Sequence, residues 1–366
     1  MADPFASFHL GSLSLRNRLV LAPMTTYASN PDGRIRADEL TYLRQRAADG
    51  FGLVMTAACY VHLTGHAFWG QWSCATDGML PSLKSAARAI REGGSKSVLQ
   101  IHHGGRQCPS AILGHPAWAP SPVPSERPNA ETPHEMTEEE ILEVIESFGL
   151  AASRAKQAGF DAVEIHGANT YLLQQFVSPH SNRRTDRWGQ DRLLFPQCVI
   201  ESVRARVGPD YPVGYRFSPE EIETPGIRWS DTAALIEMLC GQGLAWLHVS
   251  LRDFRMSSLN GEFEEPTLDR VQMAIAGRTP LIGVGAVKCR EDADEALQHC
   301  DLIAVGRASI TDPHFVAKIT RGEQPKLLVP REDAAEKLVL PRGLADKIYA
   351  TEGWFPLEPT AEATVS

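Results

Sequence analysis

The stretch Gly159-Phe-Asp-Ala-Val-Glu-Ile-His166-Gly-Ala-Asn169-Thr-Tyr171-Leu-Leu-Gln-Gln-Phe176 joins a short apolar segment to a group of polar side chains. A Gly-Phe-Asp turn precedes the apolar residues at 162–165, a pattern typical of a buried strand. His166, Asn169 and Tyr171 follow within six residues, where the strand gives way to a loop or a helix. The stretch therefore predicts a buried strand with polar chemistry at its carboxyl end.

The three polar side chains are two neutral hydrogen-bond donors, His166 and Asn169, and one weak acid, Tyr171. A polarised carbonyl substrate needs such a set, because two donors hold its oxygen and a proton source stands nearby. The structural alternative is that His166 and Asn169 satisfy loop backbone while Tyr171 packs in the core. This stretch alone leaves the two interpretations evenly balanced.

The rest of the chain alternates apolar strands with segments of helical periodicity. The expected strands are 18–24, 52–59, 97–102, 162–165, 212–217, 246–250, 280–285 and 302–306. The expected helices are 37–49, 80–92, a long one that opens at 136–141 with Thr137 as its N-cap, 193–207, 231–242, 268–276, 290–298 and 313–320. Eight such units with unbroken apolar strands predict a parallel (β/α)8 (TIM) barrel. A doubly wound open sheet is the alternative, but no early glycine-rich dinucleotide turn supports it.

A single domain is expected over residues 1–366, with the barrel at about 16–322 and a tail at 323–366. A hairpin at 8–15 is predicted to cap one end, and 104–135 forms a long loop after the third strand. The tail is expected to wrap the outside or to reach a neighbouring subunit, which leaves a homodimer open. Its last several residues are expected to be disordered.

Composition excludes several classes of protein. Of the 366 residues, 43% are hydrophobic and 22% are charged, as in ordinary globular proteins. The net charge of −9 argues against binding to nucleic acid. No apolar run is long enough for a membrane span, and the N-terminus carries no signal-peptide pattern. These features, with seven scattered cysteines and no C-x-x-C pair, predict a cytoplasmic protein with reduced thiols and no iron–sulfur cluster.

A metal site is not expected either. His62 and His66 lie four residues apart, as in some metal sites, but Gly65 and the lack of helical periodicity favour ordinary loop histidines.

Chemistry in a barrel lies at the carboxyl ends of the strands. The residues expected there are Pro23, Met24, Thr25, Tyr27, Ala58, Gln100, His102, His166, Arg216, Gly285, Ala286, Gly306 and Arg307. Small residues let a flat ring approach the backbone, while Gln100 and Arg216 offer an amide and a cation. The glycines near Arg307 leave backbone N–H groups free for a phosphate. The set predicts a pocket for a phosphorylated, flat, electron-accepting ring.

Several longer runs make the chain resemble the Old Yellow Enzyme family of FMN-dependent ene-reductases. They are Leu15-Arg-Asn-Arg-Leu-Val-Leu-Ala-Pro-Met-Thr25, His166–Phe176, Ser178-Pro-His-Ser-Asn-Arg-Arg-Thr-Asp-Arg-Trp-Gly189, and Val305-Gly-Arg with Asp312-Pro. Gln100 and Arg216 fall at matching places, so the resemblance covers nearly the whole barrel. It shifts the balance for His166, Asn169 and Tyr171 towards function.

The resemblance implies a non-covalent FMN with NADPH or NADH as electron donor. Pro23, Met24 and Thr25 would line the isoalloxazine, with the Thr25 hydroxyl near flavin O4, and Ala58 would let the ring lie close. Gln100 would bond the pyrimidine edge and Arg216 would lie near N1 and O2. The phosphate would be held by Gly285, Ala286, Gly306 and Arg307.

The resemblance also implies a substrate, an α,β-unsaturated carbonyl compound or a nitroalkene. His166 and Asn169 would hold its oxygen, Tyr171 would give a proton to the α-carbon, and Tyr27 would line the substrate side. Two alternatives stay open. One keeps the fold and flavin but reduces nitro-esters or dienoyl thioesters, and the other is a flavin-binding protein without turnover.

Two features depart from any single branch of the family. Thr25 stands where one branch has a cysteine, yet Tyr27 and the His166–Asn169 pair belong to different branches. Some relatives also place an arginine before a Gly-Trp pair, where it enters a partner's pocket. Here Glu352 precedes Gly353-Trp354, so that contact is not expected.

Overall fold

A computed structural model of the chain describes residues 2–360. Eight parallel strands close into a barrel, since each pairs with the next and the eighth pairs with the first. They are β1 (Leu19–Leu21), β2 (Leu53–Met55), β3 (Lys96–His102), β4 (Ala162–Gly167), β5 (Val213–Phe217), β6 (Trp246–Val249), β7 (Leu281–Val284) and β8 (Leu302–Val305). The predicted (β/α)8 barrel is confirmed.

Each strand is followed by a helix that packs on the outside of the barrel. These helices are α1 (Ala37–Asp49), α2 (Leu80–Glu92), α3 (Glu138–Ala158), α4 (Leu194–Val207), α5 (Trp229–Cys240), α6 (Thr267–Ile275), α7 (Arg290–Ala296) and α8 (Phe315–Thr320). The predicted cap of α3 is present, because Thr137 and Glu140 exchange backbone and side-chain hydrogen bonds. Shorter helices occur at Leu172–Val177, Arg187–Gln190 and Arg307–Thr311.

Side chains alternate between the barrel interior and the helix layer. In β1, Val20 belongs to the inner apolar cluster, whereas Leu19 and Leu21 join the large cluster under the helices. The predicted hairpin, Phe8–Leu10 with Leu13–Leu15, adds its leucines to the inner cluster and so closes one end. The carboxyl ends of the strands therefore form the opposite end.

The second strand is shorter in the structure than the predicted range 52–59. Pairing in β2 ends at Met55, and Cys59–Tyr60 forms a separate short strand beside β3. Ala58 therefore lies in the turn between them, at the carboxyl end of the barrel.

The long loop at 104–135 and the tail both contain helices or strands that the sequence did not predict. The loop at 104–135 holds a short helix, Ser110–Leu113, and a strand pair formed by Trp118–Ala119 and His134–Glu135. The tail forms helices at Ala334–Lys337 and Arg342–Ala350. The prediction of disorder falls on the last residues, 361–366, which lie outside the described residues.

The tail is held against its own barrel by a buried cation. Arg46 of α1 is 0% exposed and donates to the carbonyl of Leu338 at 2.9 Å and to that of Ser309 at 2.9 Å. A second contact is steric, because a Cβ on Gly343 would lie only 2.1 Å from the carbonyl oxygen of Tyr27. The tail helix thus packs directly on the loop that follows β1.

Candidate active site

His166 ends β4 as a neutral hydrogen-bond donor. Its ring is 3% exposed, and Nδ1 accepts a hydrogen bond from the Ala168 backbone N–H at 3.2 Å. The proton of a neutral imidazole then resides on Nε2, an assignment that follows from this bond. Burial holds the pKa of His166 well below its usual range, so the ring stays uncharged at neutral pH. Nε2–H is therefore a donor without a positive charge.

Asn169 is held in a left-handed turn with φ of 57°. Its backbone N–H donates to Ser218 Oγ at 2.9 Å, and its Oδ1 accepts from Ser250 Oγ at 2.8 Å. Because the oxygen faces Ser250, the amide nitrogen Nδ2 faces away, and no described residue accepts from it. The side chain thus offers a second neutral donor.

Tyr171 packs edge-on against two imidazoles. The centre of its ring lies 4.3 Å from that of His102 and 5.2 Å from that of His166. Burial raises the pKa of Tyr171, and the charge of Arg127 together with a side-chain hydrogen bond from it partly offsets that rise. The phenol is therefore protonated at neutral pH. The structural alternative is correct in part, since His166 and Asn169 do bind local groups, yet each keeps one donor free.

Beneath these residues lies a set of buried polar side chains, here called the polar floor: Gln100, Glu164, Arg216, Trp246 and His248. Glu164 Oε1 accepts from Gln100 Nε2 at 2.8 Å, and Oε2 accepts from Trp246 Nε1 at 2.9 Å and from His248 Nδ1 at 2.9 Å. Sequence reasoning found Gln100 and Arg216 but missed the other three. Only Glu164 had a signal in the sequence, because it has the same inward register as His166 in β4.

Arg216 of β5 is a buried cation with an unused donor. It is 8% exposed, and its Nη2 donates to Ser250 Oγ at 3.1 Å. Its Nε is buried and has no hydrogen-bond partner among the described residues. Ser250 therefore links Arg216 to Asn169, and the orphaned Nε points to a polar group that the protein itself does not supply.

The ends of β7 and β8 form a cradle of small residues. Gly285 has φ of 126°, and a Cβ there would lie 2.7 Å from the backbone nitrogen of Asp253. Ala286 is also left-handed, with φ of 53°. At Gly306 an added Cβ would meet nothing closer than Met24 Sδ at 3.7 Å, so space is open there. Arg307 is exposed next to it.

The remaining predicted residues lie at the same end of the barrel. Pro23, Met24 and Thr25 are half-buried after β1, and Ala58 is 8% exposed after β2. Next to Thr25, the Thr26 hydroxyl donates to buried Glu39 at 2.5 Å. Together with the Gly306 cradle and the orphaned Arg216 nitrogen, these residues fit a flat ring that carries polar edges and a phosphate.

An outer group of residues, here called the rim, consists of Tyr27, Phe68, Arg127, Tyr171 and Trp354. The ring of Tyr27 lies 5.6 Å from Phe68 and 6.4 Å from Trp354. Burial raises the pKa of Tyr27, while the charge of Arg127 lowers it. Arg127 comes from the long loop, and no short motif in the sequence indicated it. Trp354 comes from the tail, where the sequence analysis noted the Gly353-Trp354 pair but did not place it beside Tyr27.

The histidines with metal-like spacing serve other purposes. His62 Nδ1 bonds the Thr64 hydroxyl at 2.8 Å, and the His66 ring stacks on Tyr60 at 4.6 Å. Within residues 2–360 no group of three or more His, Cys, Asp or Glu side chains is placed to hold a metal ion. In the same part of the chain no helix has the length and apolar character that crossing a membrane requires.

A (β/α)8 barrel with a cradle of small residues, a buried cation and neutral donors at one end fits a flavin-dependent oxidoreductase. Residues 3–325 match the NADH:flavin oxidoreductase / NADH oxidase family, and the chain belongs to that family, the Old Yellow Enzyme family. It is an NAD(P)H-dependent flavin oxidoreductase with FMN as its cofactor.

Individual relatives support this assignment. The chain is 39% identical over 367 residues to a probable NADH-dependent flavin oxidoreductase of Bacillus subtilis, YqiG, with 97% of each chain covered. It is 42% identical over 324 residues to the NADH:acrylate oxidoreductase of Vibrio harveyi, covering 85% of this chain but only 32% of that longer protein. The solved old yellow enzyme homologue of Zymomonas mobilis shares the fold, with a TM-score of 0.81 at 23% identity over 94% of this chain and 99% of its own.

Proposed function

We propose that this chain is an ene-reductase, which reduces the activated C=C bond of an α,β-unsaturated carbonyl compound or a nitroalkene at the expense of NAD(P)H. The observation that supports the proposal most directly is the pair of uncharged donors, His166 Nε2 and Asn169 Nδ2, beside the protonated phenol of Tyr171. The name of the acrylate-reducing relative is consistent with a C=C bond as the target.

The cofactor site is part of the proposal. Pro23, Met24, Thr25 and Ala58 would line the ring, Gln100 and Arg216 would bind its polar edge, and Gly285, Ala286, Gly306 and Arg307 would hold the phosphate. FMN bound there would supply the hydride chemistry that couples oxidation of NAD(P)H to reduction of the β-carbon of the substrate. The residues around it then have three tasks, namely to orient the substrate, to stabilise charge and to supply a proton.

His166 and Asn169 stabilise the charge. As the β-carbon is reduced, negative charge develops on the carbonyl oxygen, and two donors in a site of low dielectric favour that state. Both are uncharged and already oriented by Ala168 and Ser250, so little reorganisation is needed. Tyr27 faces the substrate side and limits its shape.

Tyr171 supplies the proton to the α-carbon. Burial keeps its pKa above the usual value of a phenol, so it carries the proton at neutral pH. A protein that only stores flavin would have no use for an acid at this position.

The test separates the two halves of the reaction. Anaerobic NADH or NADPH should bleach the yellow protein, and cyclohexenone should restore the colour. Tyr171→Phe should slow only the restoration, by about 10²-fold or more, because general-acid catalysis contributes about that much. Equal slowing of both steps would remove Tyr171 from its proposed role. Failure of cyclohexenone and nitroalkenes to restore the colour at all would refute the ene-reductase proposal.

A further inference from the structure

Glu164 is a fully buried carboxyl group that the proposed reaction does not use. It is 0% exposed, and it extends from β4 into the barrel two residues before His166. Across the sheet it is in register with Gln100 of β3. A charged group in such a place is costly unless partners compensate for the loss of water.

Its partners favour the ionised form of Glu164. Gln100 Nε2, Trp246 Nε1 and His248 Nδ1 converge on its two oxygens at 2.8, 2.9 and 2.9 Å. The amide and indole nitrogens can only donate, so the carboxyl oxygens must accept. Burial opposes ionisation, but His248, Arg216 and these hydrogen bonds outweigh it and lower the pKa of Glu164.

The carboxylate decides which way the Gln100 amide points. Because a carboxylate accepts only, the nitrogen of Gln100 must face Glu164, and the amide cannot flip. The Gln100 oxygen then points elsewhere, and no described residue donates to it. An acceptor in that place matches the N–H group that lies between the two carbonyls on the edge of a flavin.

Glu164 also offsets the charge of Arg216. No described carboxylate lies within 4.0 Å of the Arg216 guanidinium, although the residue is only 8% exposed. Glu164 pairs with Gly214 of β5, two residues before Arg216, so both side chains lie on neighbouring strands of the barrel. The negative charge of Glu164 raises the pKa of Arg216 against the lowering by burial. Burial lowers the pKa of His248, the neighbour of Arg216 in the sheet, although the charge of Glu164 opposes that shift.

We propose that Glu164 is a positioning residue of the FMN site. It holds the carboxamide of Gln100 in one orientation and balances the charge of Arg216 from inside the barrel, and so sets both the affinity for FMN and its reduction potential. The inference rests on the cofactor site given under the proposed function.

The decisive variant is Glu164→Gln, which keeps the shape and removes the charge. Its amide lets Gln100 flip, so oxidised FMN should bind up to about ten-fold more weakly, the loss expected for one hydrogen bond between neutral groups. Arg216 is then uncompensated and favours reduced FMN, which carries negative charge, so the midpoint potential should rise. Both quantities are measured on purified protein, by fluorescence titration of the apoprotein with FMN and by anaerobic dye equilibration. Neither depends on turnover.

Glu221→Gln is a matched control. Glu221 is also buried, 6% exposed, and accepts from the Gln174 amide at 2.7 Å and from Ser178 Oγ at 2.5 Å. It lies in the loop after β5 and touches neither Gln100 nor Arg216. Its replacement should lower the melting temperature without moving the FMN potential. If both variants move the potential equally, or neither changes FMN affinity, Glu164 is only a structural residue.

Glu164→Asp covers the case in which the amide variant does not fold. It keeps the charge but withdraws it by one methylene, so FMN affinity should fall while the potential stays near that of the unaltered protein. Unchanged affinity would overturn the positioning role. Arg216→Met separates this inference from the cofactor site itself, because FMN binding that is insensitive to Arg216 refutes the site, whatever Glu164 does.

Discussion

The polar floor and the rim differ in how their charges are held. In the floor, every member is buried and Glu164 accepts three hydrogen bonds of 2.8 to 2.9 Å. In the rim, Arg127 is exposed and has no carboxylate partner within the described residues. Its charge acts on the phenols of Tyr27 and Tyr171. A buried network permits one arrangement only, whereas an exposed cation on a loop can adapt. In the proposed function FMN lies against the floor and the substrate lies beside the rim.

The largest effect is expected where the two regions meet. Replacing both His166 and Asn169 by alanine should slow substrate reduction by at least about 10²–10³-fold, the value for loss of a single such donor, or about 2.7–4 kcal/mol. Rapid mixing of the NADH-reduced protein with cyclohexenone measures this rate. FMN affinity serves as the control and should persist, because neither side chain belongs to the floor. A rate within three-fold of the original would show that His166 and Asn169 do not stabilise the charge that develops on the substrate.

Two glycines, one packed against Trp246 of the floor and one in the long loop that carries Arg127, test how tightly these parts of the chain are packed. A Cβ on Gly214 of β5 would lie 1.9 Å from Cε2 of Trp246, so Gly214→Ala should cost about 3 kcal/mol or more of unfolding free energy. Gly114 lies in the long loop with φ of 79° and nothing within 4 Å, so Gly114→Ala should cost only about 1 kcal/mol of backbone strain. Urea unfolding of the two apoproteins gives both values. Similar costs would contradict the contrast in packing.

The floor and its neighbours should make stability depend on pH. Burial lowers the pKa of His102 to about 3 and that of His166 and His248 below the usual value. The unfolded chain takes up these protons below about pH 6.5, whereas the folded chain does not. Stability is therefore complete above that pH and lost as the pH falls, by roughly 1 kcal/mol per pH unit for each ring.

Glu39 has the opposite effect on the pH dependence of stability. Burial raises its pKa, so the folded chain binds this proton at a higher pH than the unfolded chain and is stabilised as the pH falls. Unfolding of the apoprotein at pH 7, 6 and 5 measures the net slope. His102→Gln should reduce the dependence of the unfolding free energy on pH by roughly 1 kcal/mol per pH unit, the contribution of one imidazole. An unfolding free energy that does not change with pH would show that the imidazoles are accessible to protons in the folded chain.

The smallest effect is expected for Arg127, the exposed cation of the rim. Arg127→Gln removes a cation that lowers the pKa of Tyr171, so that pKa should rise further, by less than about one unit for an exposed charge. Tyr171 acts in its protonated form, which exists below its pKa, so the loss of activity in alkali should move to higher pH. The rate at pH 7 should stay within about two-fold. Arg127→Lys retains the charge and is the control, and a large drop at pH 7 in the Gln variant would assign Arg127 to substrate binding.

The sequence predicted the barrel because eight short apolar runs alternate with segments of helical periodicity. It also predicted the residues at the strand ends, since the fold places them at one end of the barrel. Ala58 shows the limit of this approach, because the pattern at 52–59 does not reveal that pairing ends at Met55. The apolar run continues although the sheet does not.

The missed residues depend on contacts between distant segments. Trp246 and His248 read as ordinary strand residues, and only the closed barrel brings them to Glu164, 82 and 84 residues away in the chain. Arg127 and Trp354 belong to segments rich in proline and charge, where periodicity carries no information. The local sequence pattern therefore identified the residues at the strand ends. The residues from distant segments that contact them became visible only in the folded structure.

The packing of Trp354 and Gly343 on the loop of Tyr27 bears on the order in which the protein is made. Tyr27 leaves the ribosome early, whereas the tail helix at Arg342–Ala350 leaves it only after all eight strands. Every residue proposed to hold FMN precedes that helix in the chain. The wall beside Tyr27 is therefore the last part of the pocket to be synthesised.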